Sequence, residues 1–269
     1  MSTERRKVWV RRGQQGFTLI EILIALLIGV FLLAALLTIV QANRRVYGDQ
    51  TQLAQLQDSE RMALTLMTDV IQMAGYFPNP TGNTSGGSLP ATAPFQTAGQ
   101  AIFGQFSSTA PGDTLSVRYM TAGGDGILNC SGLSNINPPP PVGSNTGNIL
   151  YINTFSVVNG QLVCTLTSSA TPTTSVQYNL VSGVTNATTN FGITNLVILY
   201  GVNTTGAGNA VDTYFSASQM SSVNWNNVIS VLIQLTFSNP LYTNGSTTQP
   251  QTIEIQRVVG IMNQLGPVN

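Results

Sequence analysis

The chain has 269 residues, enough for one or two domains with a hydrophobic core, and its formal net charge at pH 7 is zero. It contains no histidine, and its single lysine, Lys7, lies in the basic N-terminal segment, so we expect no enzyme, no metal site and no cofactor. Only 7% of its residues are charged, whereas about 25% is usual for soluble domains, and this composition offers no basic patch for nucleic acid.

An apolar segment of membrane-spanning length lies near the N-terminus. No charged residue occurs between Glu21 and Arg44, and a helix of about 22 residues extends about 33 Å, enough to cross a hydrocarbon core of about 30 Å. Basic residues are more numerous before this segment than after it, which places the N-terminus in the cytoplasm and the rest of the chain outside. Glu21 stands near the start of the segment, where an ionisable group is costly and usually functional.

Three interpretations of this segment are open. A secretory signal peptide would be cut after Ala42, but its apolar region would be longer than the usual 7–15 residues. A plain membrane anchor would leave Glu21 without a role. The third interpretation rests on a basic leader that ends in Gly16, followed by Phe17 and by Glu21 as the fifth residue of the new chain. This arrangement resembles the type IV prepilin signature, and the resemblance implies cleavage after Gly16 and N-methylation of Phe17.

The resemblance also gives Glu21 a role in assembly. Cleavage would create a positive amine at Phe17, and an amine buried among packed apolar helices needs an opposite charge. Glu21 supplies that charge and suits the dipole of a helix N-terminus. In the family the amine belongs to a neighbouring subunit, but the spacing of Phe17 and Glu21 also allows a pair within one chain.

An amphipathic helix is predicted to follow the apolar segment, so that one helix runs from about Phe17 to Phe77. Glu60 interrupts an otherwise apolar stripe, whose members are Leu53, Leu56, Ala63, Met67, Val70, Ala74 and Phe77. The stripe fits a coiled-coil stalk or, as we expect, packing on the domain that follows. A stretch rich in proline and glycine then ends the helix.

The remaining residues are predicted to form a β-rich head. Strand-like segments occupy residues 113–121, 148–167, 175–181, 193–202, 227–237 and 252–262, and Asn159-Gly160 marks a hairpin within the second. The expected fold class is α+β, a long N-terminal helix packed on an antiparallel β-sheet head, as in type IV pilins. The expected parts are a cleaved leader (1–16), a transmembrane half-helix (17–43), an amphipathic half-helix (44–77) and the head (78–269).

Two features of the head concern its loops. Cys130 and Cys164 are the only cysteines, and since the topology places both outside the cytoplasm, we expect a structural disulfide; two free thiols are the alternative. The proline-rich stretch 135–143 is either an exposed loop or a contact for a partner.

Residues 196–237 resemble the PilW class of minor pilins. In that class a strand ending in Tyr-Gly, a glycine-rich loop, an Asp-x-Tyr element and a Trp-x-x-Val strand follow in this order. The matching residues are Tyr200, Gly201, Asp212, Tyr214, Trp225 and Val228. The loop 203–212 holds one carboxylate, Asp212, so we interpret it as a turn and not as a calcium site.

The resemblance implies a minor pilin that initiates or caps a type IV pilus, with roles in twitching motility and adhesion. It would be a single-pass protein of the inner membrane with a periplasmic head, and would later stand in the pilus on the cell surface. Its expected partners are major and minor pilins, the prepilin peptidase and the assembly platform, and no nucleic acid. One alternative is a minor pseudopilin of a type II secretion system. Another is an adhesin or DNA-binding module at the tip, although Arg118 and Arg257 are the only basic residues of the head.

Overall fold

A computed structural model describes residues 16–170, 173–181, 185–186, 189–190, 192–205, 210–221, 224–242 and 247–265. Of the predicted leader, only Gly16 lies within the described residues. The chain divides into two units, Met1–Thr51 and Gln52–Asn269.

Helix α1 (Leu19–Gln72) begins in the first unit, where it exposes every side chain. Leu, Ile and Ala dominate its first turns, and no proline interrupts them. By length and composition it is the one described helix that is apolar enough to cross a membrane.

The last turn of α1 ends before Phe77, the predicted end, because the chain leaves the helix to join a sheet. Gly75 adopts a φ of +78°, which glycine tolerates without strain. Its N–H donates to the carbonyl oxygen of Arg118 (3.0 Å), and the Met120 N–H donates to the carbonyl oxygen of Tyr76 (2.8 Å). The backbone thus exchanges helical hydrogen bonds for bonds to a strand.

The final turns of α1, which belong to the second unit, bury their apolar face in the core of the head. The buried residues of this face are Leu56, Ala63, Leu64, Met67, Val70 and Ile71, followed by Ala74 beyond the helix. Leu53, at the start of the predicted stripe, is exposed. Partial burial raises the pKa of Glu60, the acid within the stripe. The head therefore covers the apolar face through which two such helices would have to pack to form a coiled coil.

The head contains two large antiparallel sheets, which confirms the predicted α+β class. The first sheet comprises β1 (Ile102–Gln105), β2 (Thr114–Thr121), β3 (Ile149–Val158), β4 (Gln161–Ser168) and β5 (Thr174–Val181). The second comprises β8 (Ile193–Val202), β9 (Thr213–Ser216), β10 (Val228–Ser238) and β11 (Thr252–Gly260). The strand order is β1-β2-β3-β4-β5 in the first sheet and β11-β10-β8-β9 in the second.

The smaller elements complete the head. A two-residue ladder joins β6 (Thr185–Asn186) to β7 (Thr189–Asn190), and the short helices are α2 (Ser85–Ser88) and α3 (Met262–Leu265). Two 3₁₀ turns cover Ala217–Gln219 and Asn224–Asn227.

The segment before β2 links the two sheets. The Asp113 N–H donates to the carbonyl oxygen of Leu196 in β8 (2.7 Å). The buried carboxylate of Asp113 accepts hydrogen bonds from the N–H groups of Ser107 (2.8 Å) and Ile198 (2.9 Å). Gly112 approaches β8 so closely that a Cβ there would overlap the carbonyl oxygen of Leu196. The chain thus pairs with the second sheet between β1 and β2, two neighbouring strands of the first sheet.

Candidate functional site

The N-terminal end of α1 carries the residues expected to act in processing and assembly. Gly16, Phe17 and Thr18 precede the helix, and the Phe17 side chain is 79% exposed. The carbonyl oxygen of Thr18 accepts hydrogen bonds from the N–H groups of Glu21 (3.1 Å) and Ile22 (3.3 Å). Glu21 therefore stands in the first turn, where its negative charge is favoured by the unpaired amides of the helix start.

The surface around Glu21 is apolar on all sides of the helix. Every side chain from Leu19 to Val40 is exposed, and Glu21 is the only ionisable residue between Phe17 and Asn43. Such a surface is stable in hydrocarbon or against other apolar helices, but not in water. The exposed apolar half of α1 thus carries a single negative charge, that of Glu21, near its N-terminal end.

Cys130 and Cys164 form a disulfide in the structure, and both residues are buried. The bond ties the long connection 122–148, which joins β2 to β3, to strand β4. The Cys130 N–H also donates to Oδ1 of Asn153 on β3 (2.9 Å). The chemistry of this pair is structural, since it fastens a long connection to the sheet.

The proline-rich stretch 135–143 lies in the same connection and is mostly exposed. The buried Asn135 holds its start by donating from Nδ2 to the carbonyl oxygens of Thr121 (3.1 Å) and Gly147 (2.9 Å). Beyond this anchor, Ile136 and Val142 are almost fully exposed. The stretch is an exposed loop with a fixed start.

The residues that resemble the PilW pattern meet where β8, β9 and β10 lie side by side. Gly201 pairs with Tyr214 of β9 and with Ser230 of β10. A Cβ at Gly201 would come within 2.4 Å of Ser230 Oγ and 2.9 Å of Tyr214 Cε1, while the Tyr214 and Ser230 hydroxyls lie 3.1 Å apart. The glycine is therefore needed for the contact between its two neighbours.

Tyr200 is the centre of an aromatic cluster beside this contact. It is fully buried, and its ring meets that of Trp225 edge-on with the centroids 4.8 Å apart. Trp225 in turn packs against Phe103 of β1, at 5.3 Å between centroids. Burial raises the pKa of Tyr200, and its hydroxyl has no hydrogen-bond partner among the described residues. Two members of the family pattern, Tyr200 and Trp225, thus hold the first sheet to the second.

Arg118 has a role that the sequence did not reveal. It is fully buried, and its guanidinium donates to the carbonyl oxygens of Gln100 (2.6 Å), Pro90 (2.6 Å), Leu89 (3.2 Å) and Thr97 (3.2 Å). Its Cζ also lies 4.2 Å from the centre of the Phe95 ring. Burial lowers the pKa of Arg118 to about 10. The only sequence signal was its place within an alternating strand, which does not distinguish a buried arginine from an exposed one.

Asp212 lies at the end of the loop 203–212, which the sequence analysis weighed as a calcium site and interpreted as a turn. Its Oδ2 accepts hydrogen bonds from the Thr204 hydroxyl (2.8 Å) and from the N–H groups of Thr204 (2.9 Å) and Thr205 (3.3 Å). The hydrogen bond from the Thr204 hydroxyl is the main cause of the lowered pKa of Asp212. Its carboxylate is engaged within the loop, and the described residues contain no group of three or more acidic or cysteine side chains that would hold a metal ion.

Two family models match the chain, one near its N-terminus and one within the head. Residues 11–37 match the model of the prokaryotic N-terminal methylation motif, which includes Gly16, Phe17 and Glu21. Residues 149–261 match the model described as type IV pilus-assembly protein W, from β3 to the end of β11. No curated protein sequence matches the chain.

Two solved structures resemble the chain at low identity. The type IV-like pilin TTHA1219 from Thermus thermophilus is 12% identical with a TM-score of 0.42, over 78% of this chain and 98% of that one. A chain of the GspK-GspI-GspJ complex from the enterotoxigenic Escherichia coli type 2 secretion system is 13% identical with a TM-score of 0.38, over 77% and 97%. The methylation motif, the match over residues 149–261 of the head and the α+β architecture support a PilW-like minor pilin of type IV pilus assembly.

Proposed function

We propose that this chain is a minor pilin and belongs to the complex that initiates or caps a type IV pilus. The observation that carries the proposal is the exposed apolar half of α1 with one acid, Glu21, in its first turn. The prepilin peptidase cuts after Gly16, and Phe17 becomes the methylated N-terminus. The head then stands in the periplasm while the apolar half of α1, up to about residue 43, spans the inner membrane.

The mechanism is mechanical and uses no catalytic group. In the membrane, α1 holds the subunit ready for extraction by the assembly platform. Among the packed helices of a filament, Glu21 pairs with the amine of a Phe17-type terminus, because an unpaired charge there is costly. The pair sets the axial register of the subunit, and the surface of the head selects the neighbouring major and minor pilins.

The structure bears on the alternative of a DNA-binding module. Of the two arginines in the head, Arg118 is buried and engaged by backbone carbonyls, so only Arg257 presents a positive charge at the surface. Phosphate binding normally uses several exposed basic residues. The description of the matching family likewise names pilus assembly, which favours a pilus over a secretion system.

Deletion of the gene in its own host tests the proposal. Cells without this protein should carry few surface pili while the membrane pool of the major pilin is unchanged, because assembly and not synthesis is lost. Expression of the intact chain from a plasmid should restore the pili. Unchanged piliation in the deletion strain would count against the proposal.

A further inference from the structure

A polar cleft in the head is lined by residues of two loop segments and of β2. Its volume is about 500 Å³, within the range of about 300–1,000 Å³ that small-molecule sites occupy. All of its lining residues belong to the second unit, so the cleft is complete within the head. They are Gly82, Asn83, Thr84, Gly87 and Ser88 from the first segment, Asn145 and Asn148 from the second, and Met120 of β2.

The two loop segments are fastened to each other by a pair of side-chain amides. Asn83 Nδ2 donates to Asn145 Oδ1, and Asn145 Nδ2 donates to Asn83 Oδ1, both at 2.8 Å. Asn83 Nδ2 also donates to the carbonyl oxygen of Pro78 (3.0 Å). These bonds join positions 62 residues apart in the sequence. The cleft is therefore formed before any ligand enters it, as is usual for small-molecule sites.

Two side chains of the lining have unused hydrogen-bonding capacity. Ser88 is only 6% exposed, and its hydroxyl forms no hydrogen bond with the part of the chain that the structure describes. Asn148 donates from Nδ2 to Asn145 Oδ1 (3.4 Å), but its enclosed Oδ1 has no donor among the described residues. The terminal torsion of an asparagine is soft, so a small rotation presents this oxygen to the cleft. Since buried polar groups are nearly always hydrogen-bonded, both groups indicate a ligand with hydroxyl groups.

The lining of the cleft also restricts the charge of the ligand. No lining residue is charged, so an ion in the cleft would lose its hydration without gaining a partner. Asp125, the acid of the connection 122–148, is outside the lining, and its carboxylate accepts hydrogen bonds from the N–H groups of Ala122 (2.7 Å) and Ile127 (3.1 Å). The half-buried Met120 adds an apolar surface. The ligand that fits is neutral, rich in hydroxyl groups and apolar on one face.

We propose that this cleft binds a neutral sugar residue of a glycan. Sugar hydroxyls both donate and accept, as the hydroxyl of Ser88 and the amide of Asn148 require, and the C–H face of the ring packs on Met120. The glycan belongs either to the wall of the cell itself or to a surface outside it, and both present the same hydroxyl chemistry. This binding activity goes beyond pilus assembly and does not depend on it.

Titration with labelled oligosaccharides tests the inference. Fluorescent chitotriose, maltotriose and mannotriose are mixed with the full chain in a detergent that has no sugar headgroup, and binding is followed by fluorescence anisotropy. We expect saturable binding of at least one of them at millimolar concentration or below, and none of a heparin hexasaccharide, whose sulfates would be buried unpaired. Tightest binding of chitotriose, which has N-acetylated units like those of the wall, would assign the site to wall glycan. Tightest binding of either hexose trimer would assign it to a glycan outside the cell.

Variants of the lining show whether the sugar lies in this cleft. Ser88→Ala and Asn148→Ala each remove one hydrogen-bonding group, and each should raise the Kd about tenfold. Ser221→Ala, at an exposed serine outside the cleft, is the control and should bind as the wild type does. Trp225 fluorescence should show that all three variants are folded.

Three results would overturn the inference: none of the three trisaccharides binds, the heparin hexasaccharide binds as tightly as they do, or both cleft variants bind like the wild type. Cells that carry Ser88→Ala should have as many pili as the wild type, because the cleft takes no part in assembly. A failure of sugar binding would therefore leave the proposed function standing.

Discussion

At the scale of single residues, two charged groups have opposite surroundings. Glu21 is exposed on an apolar helix, whereas Arg118 is enclosed in the head. Only the first could be interpreted from sequence, because its place relative to Gly16 and Phe17 is part of a fixed pattern. The role of Arg118 depends on four carbonyl groups contributed by a segment with no regular pattern, residues 89–100. Such a role cannot be inferred before the path of the backbone is known.

Replacement of Glu21 should separate insertion from assembly. Glu21→Ala should remain in the membrane fraction, since the apolar length of α1 is unchanged. It should co-purify with other pilins at least tenfold less, because an unpaired amine among apolar helices costs several kcal/mol and about 1.4 kcal/mol is already tenfold. Immunoblots of membrane and of affinity-purified fractions give both quantities. Asp49→Ala, which removes an exposed acid from the same helix, is the control and should behave as the wild type.

Replacement of Arg118 should destabilise the head. Arg118→Met keeps much of the side-chain volume but leaves the four carbonyl oxygens without their donor. Since each unsatisfied buried polar group costs about 1–3 kcal/mol and some of these gain water, we expect the free energy of unfolding to fall by about 3 kcal/mol. Denaturant unfolding of the purified full chain, followed by tryptophan fluorescence, measures it; Trp225 is the only tryptophan outside the predicted leader.

Two variants show whether that loss is specific to the buried arginine. Arg118→Lys keeps the charge, but a compact ammonium cannot reach all four oxygens, so its effect should be similar in sign. Arg257→Met removes an exposed charge and should change stability by less than about 0.5 kcal/mol. An unfolding curve of Arg118→Met that overlays the wild type would show that the carbonyl cage does not stabilise the head.

At the scale of elements, the strands with long alternation were predictable and the short ones were not. The segment 193–202 coincides with β8, and the Asn159-Gly160 hairpin turn has positive φ at both residues, 51° and 74°. β1 and β9 have four residues each, too few for a periodic pattern to show. The end of α1 was placed too late because Gly75 is drawn out of the helix by a strand that lies far away in sequence.

The connection between β2 and β3 should depend on its disulfide. Cys130 and Cys164 are separated by 34 residues, and a cross-link of this span stabilises by roughly 3.5–4 kcal/mol on the chain-entropy model. The double variant Cys130→Ser, Cys164→Ser should lose about this much free energy of unfolding. Reduction by dithiothreitol should destabilise the wild type to a similar extent and leave the double variant unaffected. Two free thiols in protein isolated from the envelope would contradict the bond.

At the scale of the whole molecule, the division of the strands between two sheets could not be predicted from the sequence. The strands of the two large sheets are mostly amphipathic or apolar, and this pattern does not show which strands share a sheet. The division depends on long-range contacts such as that of Asp113 with Ile198, and on a glycine at position 112 that admits close approach. The resemblance to the family could be found from the sequence because its signals are local. They are the methylation motif at one end and the order of Tyr200, Gly201, Asp212, Tyr214 and Trp225 in the head.

The last prediction concerns how many copies a filament contains. A head of about 190 residues is large for a lattice that must repeat closely. Quantitative mass spectrometry of sheared pili should therefore find this chain far below the major pilin. In cells that cannot retract pili, deletion of this gene should still reduce piliation if the protein initiates assembly, because nucleation and not removal is then the slow step. Full piliation in the retraction-defective double mutant would instead show that the protein only opposes disassembly, and parity with the major pilin would show that it is a bulk subunit.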